Sequence, residues 1–334
     1  MNSLLYIDPE INDQDVVYRT MDFFSIAAMI QNKSMMFTRA DMFEDKNEGV
    51  ERILSQLSIS SPRSGCGMGW KDNATAKVMH QDIQRSHYVS CWSRNPDSVA
   101  MWSLYSSDLS SVRVSVRLSK LISVVENLLN KYLIAHLDEN NLGKTLVGSV
   151  SGKIFPVRYM SLSYLSRLAQ RRARALAKID KRYEDLGMSS PVSGGSRRAF
   201  LRRLDQRAQL SEIGRLKDIS FKHEEEIRLI VRLGEEVCTK FIVDSSRLVD
   251  PLHECHLAYK GYMEAWGYVK NTNIPSREFV CCPADLIETV AIDPRCSKHK
   301  VDFMNAWFND HKIKVVKSNC FGYIPDELHV FPHG

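Results

Sequence analysis

Short segments that alternate apolar with polar residues recur along the chain and predict β-strands. In residues 112–117, three valines alternate with arginine and serine, so one face of the predicted strand is apolar. Other segments rich in β-branched and aromatic residues are predicted strands for the same reason. These segments are residues 15–20, 34–38, 87–93, 154–160, 226–232, 257–260, 287–292 and 313–317.

Segments with the apolar spacing of helices lie at irregular intervals between these predicted strands. Apolar side chains three and four positions apart predict helices over 23–33, 97–106, 118–130 and 298–311. Residues 161–217 are also helical in pattern and are split by a loop at 187–196, which predicts an inserted helical pair. The mixture favours the α+β class, with one domain over 1–334 and a decorated mixed sheet.

The inserted pair is strongly basic. Between Arg167 and Lys217 there are 14 Lys or Arg and 5 acidic residues, a local net charge of +9 against +5 for the whole chain. Such a segment attracts phosphate, although a solvated helical face has the same composition. RNA, DNA or an acidic protein would satisfy this surface. The candidate nucleic-acid contacts are Arg171, Arg172, Arg174, Arg197, Arg198, Arg202 and Arg203.

Composition and missing motifs narrow the class of protein. The 44% apolar content is that of a globular protein, and without an 18-residue apolar run or a signal-like start we expect a cytoplasmic chain with no membrane contact. The eight cysteines include no pair with a two-residue gap, so we expect reduced thiols. The acids at 41, 44, 45 and 48 lack calcium-loop spacing, the run 253–256 cannot easily surround zinc, and no metal is predicted. No phosphate-binding glycine motif is present, which argues against a Rossmann or kinase-like mechanism.

Five stretches carry a resemblance to a known family. In order they are Tyr18-Arg19, Phe43-Glu44-Asp45 with Glu48, Ser90 to Ser93 leading to Met101 through Tyr105, Phe221 to Arg228, and Ile287 to Arg295. Over nearly its whole length the chain thus resembles the bacterial domain of unknown function 2971 family. It departs from that family at Phe43 to Lys46, where Phe-Asn-Asp-Pro is usual, and in its long basic insertion.

The order of a strand with Tyr-Arg, a strand with Ser and aromatics, and a late strand with Glu is also similar to ADP-ribosyltransferases. This similarity implies a split sheet whose cleft takes NAD as substrate, with no metal. It implies that Arg19 meets the adenosine side of NAD, that Tyr105 or Trp102 stacks on nicotinamide, and that Glu226 binds the nicotinamide ribose and stabilises its cationic transition state. The other implied NAD-binding residues are Tyr18, Ser90, Trp92, Ser93, Glu224 and Arg228. The family context implies a toxin or phage-defence effector, for which an antitoxin protein is a possible partner.

The residues themselves leave alternatives open. On a strand, Glu224, Glu226 and Arg228 share one face, which suits a polar cleft wall with Arg228 orienting the acids, but also a solvated face with ordinary ion pairs. Trp92 and Trp102 suit core packing as well as ligand stacking. Cys91 is the one cysteine within a candidate site stretch, and it suits a catalytic nucleophile as well as a small buried position. A non-catalytic module that binds nucleic acid or protein, and a metal-dependent hydrolase, are the competing function classes.

Overall fold

A ten-stranded mixed sheet forms the centre of the computed structural model, which describes residues 4–43, 84–138, 151–187, 214–233, 238–241, 268–270 and 275–322. Fourteen strands lie within these ranges. They are β1 (Leu5–Ile7), β2 (Val16–Asp22), β3 (Ser34–Arg39), β4 (His87–Ser93), β5 (Ser111–Arg117), β6 (Ser151–Pro156), β7 (Arg158–Met160), β8 (Leu216–Asp218), β9 (Glu226–Arg232), β10 (Cys238–Phe241), β11 (Tyr268–Lys270), β12 (Arg277–Cys281), β13 (Ile287–Ile292) and β14 (Lys314–Val316).

Five helices and two 3₁₀ helices are interposed between the described strands. The helices are α1 (Phe23–Asn32), α2 (Val99–Tyr105), α3 (Leu118–Asp138), α4 (Leu162–Asp185) and α5 (Lys298–Asp310), and the 3₁₀ helices span Ala40–Met42 and Ile219–Glu224. α1 begins at Asp22, whose carboxylate accepts the N–H of Ser25 at 2.9 Å, and ends at Lys33 in the left-handed conformation. These are ordinary helix caps.

The main sheet runs β1-β6-β9-β4-β2-β5-β13-β14, with β3 paired to β4 and β12 paired to β3. α3 packs on this sheet through apolar residues at helical spacing, namely Leu118, Leu121, Val124, Val125, Leu128 and Leu129. β6 passes close beneath the helix at Gly152, where a Cβ would lie 2.9 Å from side-chain atoms of Leu129 and Leu5. The absence of a side chain at Gly152 therefore lets helix and strand approach.

The sheet splits between β2 and β4. These strands share a single residue pair, Tyr18 with Ser93, whereas β2 pairs with β5 along its whole length. The other end of β4 pairs with β3, through Thr38 with Val89. β2 and β4 separate after Tyr18, and a gap therefore opens between the following residues of β2 and the preceding residues of β4. The candidate site lies in this gap.

The α+β class and most predicted strands are confirmed. The bounds predicted for β4, β9 and β13 are those observed. The strand predicted over 154–160 is wrong in one respect, because it is interrupted at Val157. Its N–H donates to the carbonyl of Glu226 at 2.8 Å, and the next residue turns to pair with the β8 segment. β1, β10, β11 and β12 were not predicted, and 257–260 lies outside the described residues.

The predicted inserted helical pair over 161–217 needs correction at its end. α4 is its first helix, and the residues of its second helix lie outside the described ranges. Leu216–Asp218 forms strand β8 rather than helix, which places Arg215 against buried Asp8 and Lys217 in the candidate site. Both cations belong to the folded core, so the local charge of +9 overstates what faces solvent. No helix in the described part of the chain is both long enough and apolar enough to cross a membrane.

Candidate functional site

A cavity of about 600 Å³ occupies the gap where the sheet splits. Arg19 from β2, Tyr105 from the end of α2 and Glu226 from the start of β9 all line this cavity. Its volume falls within the roughly 300–1,000 Å³ of small-molecule sites. The three residues that the sequence associates with NAD, far apart along the chain, therefore share one concavity.

Arg19 carries an available positive charge on one wall of the cavity. Its Nη1 donates to Ser90 Oγ at 3.2 Å, and its guanidinium carbon lies 6.0 Å from the centre of the Trp92 ring. Burial lowers the pKa of Arg19, opposed by Cys91, Tyr105 and Glu226, but an arginine remains charged in proteins. No described carboxylate forms an ion pair with Arg19, so its charge is free to meet a ligand anion.

Glu226 is buried and held by two cations. Its Oε1 accepts the Nε–H of Arg228 at 2.8 Å, and its Oε2 accepts from Arg228 Nη2 at 3.2 Å and from Lys217 Nζ at 3.3 Å. Burial would raise the pKa of Glu226, but the positive charges of Arg228 and Lys217 outweigh it and lower the pKa well below its usual range. A fixed, ionised carboxylate therefore faces the cavity.

Glu224 reaches the same place by a different route from the one predicted. It ends the 3₁₀ helix instead of lying on β9, and Glu225 between the two acids is left-handed, with φ of 43°. Glu224 Oε1 accepts from the Tyr105 hydroxyl at 2.9 Å, and Oε2 accepts from Lys217 Nζ at 2.6 Å. Burial and the charge of Glu224 raise the pKa of Tyr105, so its hydroxyl stays protonated and donates.

Arg228 contacts both Glu226 in the cavity and the backbone at Gly214. Its Nη1 donates to the carbonyl of Gly214 at 2.9 Å, and the side chain is 1% exposed. Gly214 has φ of +75°, and a Cβ there would lie 3.0 Å from Arg228 Nη1. Glycine at this position therefore allows both the backbone turn and the close approach. The predicted role of Arg228 in orienting an acid matches this geometry for Glu226.

The remaining predicted residues divide into two groups. Tyr18, Trp92 and Ser93 line the cavity. Ser90 does not line it but lies behind Arg19, where its hydroxyl also accepts from Trp92 Nε1 at 3.0 Å. Trp102 is 1% exposed and donates its indole N–H to Asp97, so its prediction as a nicotinamide platform is wrong and its core alternative is correct. Of the two rings predicted to stack on nicotinamide, Tyr105 is the one that lines the cavity.

Sequence reasoning missed several residues of the site. Lys217 was counted with the basic insertion, and no spacing pattern connects it to the acids. Phe221 lies beneath it, with its ring centre 4.4 Å from Lys217 Nζ. Cys91 lines the cavity, and its thiol hydrogen bonds to Glu226. Within the described ranges, no cluster of three His, Cys, Asp or Glu side chains suits a metal ion.

Comparison of the chain with protein-family models, with curated proteins and with solved structures found no match. The resemblance to the domain of unknown function 2971 family and the similarity to ADP-ribosyltransferases therefore remain predictions from the sequence. The geometry of the cavity is the feature of the described structure that bears on function.

Proposed function

We propose that the protein transfers ADP-ribose from NAD to a macromolecule, with nucleic acid as the acceptor class, in the cavity at the split of the sheet. The observation that carries this proposal is the convergence of Arg19, Tyr105 and Glu226 on one cavity. Three cations and two carboxylates contribute charge to that cavity, a net charge of +1 from Arg19, Lys217, Arg228, Glu224 and Glu226. An anionic ligand such as NAD complements this balance.

The chemistry follows from the positions of these charges. Arg19 suits the phosphate or ribose on the adenosine side, and the Tyr105 ring suits the nicotinamide. When the bond between ribose C1′ and the nicotinamide nitrogen breaks, its electron pair leaves with nicotinamide and positive charge develops on the ribose. The ionised Glu226 stabilises that charge in the transition state more than it stabilises the ground state, and a nucleophilic acceptor atom then forms a bond to C1′ while its proton passes to solvent.

The first test is NAD binding. At 100 times its dissociation constant, NAD should stabilise the protein by about 2.7 kcal/mol, which thermal unfolding measures. In Arg19→Gln we expect the dissociation constant to rise on the order of 10- to 100-fold, because a charge-assisted hydrogen bond is lost. Arg232→Gln changes an exposed arginine of β9 and should bind NAD as the wild type does. Equal NAD binding by wild type and Arg19→Gln would contradict the placement of the ligand.

A second candidate function is a non-catalytic module that binds nucleic acid, and the surface of α4 favours it. Six cations of α4 are solvent-exposed and mostly three or four residues apart, which places them along one side of the helix. They are Arg167, Arg171, Arg174, Lys178, Lys181 and Arg182. The side chain of Arg172 and the residues Arg197, Arg198, Arg202 and Arg203 lie outside the described part. In an enzyme, the same surface would hold a nucleic-acid acceptor, whereas a toxin or phage-defence role and an antitoxin partner rest on the family resemblance alone.

The salt dependence of RNA binding tests this surface. We expect the affinity for a single-stranded RNA to fall steeply with salt, and replacing Arg167, Arg171 and Arg174 by Gln to reduce the slope of log K against log[salt] by about 2 to 3. The control replaces three exposed lysines elsewhere, Lys298, Lys312 and Lys314. If both triple variants weaken binding equally, α4 is not the contact surface. RNA binding without any effect of NAD would favour the binding module over the enzyme.

A further inference from the structure

Lys217 lies between the two carboxylates of the cavity and has no part in the bond cleavage described above. Its Nζ is 2.6 Å from Glu224 Oε2 and 3.3 Å from Glu226 Oε2. The two carboxylates are buried and Lys217 is mostly buried, with side-chain exposures of 11%, 6% and 4% for Lys217, Glu224 and Glu226. The ammonium is therefore a shared partner of both acids, out of bulk solvent.

The two negative charges of Glu224 and Glu226 require a cation between them. Two carboxylate oxygens that contact the same nitrogen lie close together, and like charges at this separation in a buried site disfavour ionisation of one of them. Arg228 forms an ion pair with Glu226, and Tyr105 offers Glu224 a neutral hydroxyl. Among the described residues, Lys217 is the single cation in an ion pair with Glu224.

The position of Lys217 is fixed by its surroundings. Strand β8 pairs in parallel with β7, with Lys217 opposite Tyr159, and the Tyr159 hydroxyl accepts the backbone N–H of Glu226 at 2.7 Å. On the other side, the Phe221 ring contacts the ammonium. A lysine held between a strand and an aromatic ring loses little further freedom when it binds both acids.

We propose that Lys217 is a positioning residue that holds the carboxylates of Glu224 and Glu226 together, turned toward the same cavity, and keeps Glu226 ionised there. The groups that face this triad are Arg19 of β2, Cys91 of β4, Tyr105 of α2, Tyr159 of β7 and Arg228 of β9. Burial would lower the pKa of Lys217, but Glu226 and Glu224 outweigh it and raise the pKa, so the ammonium stays charged. The role in catalysis rests on the proposed transferase function, whereas the electrostatic role does not.

The test is a carboxyl titration by NMR of protein labelled with ¹³C in glutamate side chains. Glu224→Gln and Glu226→Gln assign the two resonances. In Lys217→Met we expect the carboxyl of Glu226 to titrate about one pH unit or more above its wild-type value. Lys217→Arg restores the charge and should titrate as the wild type does. Identical titrations of wild type and Lys217→Met would overturn the proposal.

A double variant covers the case in which Lys217→Met fails to fold. Lys217→Met with Glu224→Gln removes one cation and one anion together, and it should recover the thermal stability that the single variant loses. If the double variant is as unstable as Lys217→Met, Lys217 acts only through packing and the proposal is wrong.

These measurements need no NAD, which separates the two proposals. A raised carboxyl titration in Lys217→Met, in a protein that neither binds NAD nor transfers ADP-ribose, would support the role of Lys217 and reject the transferase. If transfer is observed, its acid limb should move to higher pH in Lys217→Met by the same amount as the carboxyl titration. An unmoved acid limb would contradict the link between Lys217 and catalysis.

Discussion

Glu226→Gln is expected to lower the rate of ADP-ribosyl transfer by about 100- to 1,000-fold, the range found when one preorganised electrostatic group is removed from a transition state. The amide keeps the size of the side chain but cannot neutralise the charge that develops on the ribose. NAD binding should change much less, because that charge is absent from the ground state. Single-turnover transfer from labelled NAD to RNA, DNA or lysate measures the first quantity, and thermal shift with NAD measures the second.

Glu225→Gln is the matched control for this experiment. It makes the same chemical change one residue earlier, on a side chain that is exposed and outside the cavity. We expect its transfer rate to equal that of the wild type. Transfer that survives Glu226→Gln unchanged would reject the assignment of Glu226. Equal losses of transfer rate in both variants would indicate that the rate depends on the backbone segment at Glu225 and Glu226 and not on the carboxylate in the cavity.

The strands that form the site could be predicted because each shows a local pattern. The alternation of charged and apolar residues set the bounds of β9, and the run from His87 to Ser93 set those of β4. The splitting of the sheet is different, since it depends on which strands pair. A single pair between Tyr18 and Ser93, with β4 continuing along β3, is a long-range arrangement that no local pattern specifies.

Individual site residues were predictable to different degrees. Glu224 was placed correctly for an incorrect reason, because strand alternation was invoked where a left-handed Glu225 brings the two acids together. Lys217 was not predictable, since its neighbours in sequence are those of a basic helical segment and only the pairing of β8 with β7 brings it to the acids. Trp102 and Tyr105 lie three residues apart on α2, and only the orientation of that helix determines which ring faces the cavity and which the core.

Arg228→Met is expected to destabilise the protein by about 3–5 kcal/mol, the usual cost of breaking a buried ion pair by removing one partner. Methionine occupies similar space, but it leaves Glu226 without its paired guanidinium and the Gly214 carbonyl without its donor. Denaturant unfolding measures this loss. Arg232→Met, an exposed arginine on the same strand, should change stability by less than about 0.5 kcal/mol.

The pH dependence identifies the ion pair as the source of this loss. Because the folded state lowers the pKa of Glu226, the pair stabilises the protein above the unfolded pKa of about 4.3, and this contribution disappears as pH falls through the folded pKa. The deficit of Arg228→Met should therefore be largest near neutral pH and shrink in acid. Arg228→Met combined with Glu226→Gln should cost less than the sum of the single changes, because the second removes the buried charge that the first leaves with Lys217 as its remaining ion-pair partner. Strict additivity, with a deficit that does not vary with pH, would mean that Arg228 stabilises the fold by packing and its bond to Gly214 rather than by holding Glu226.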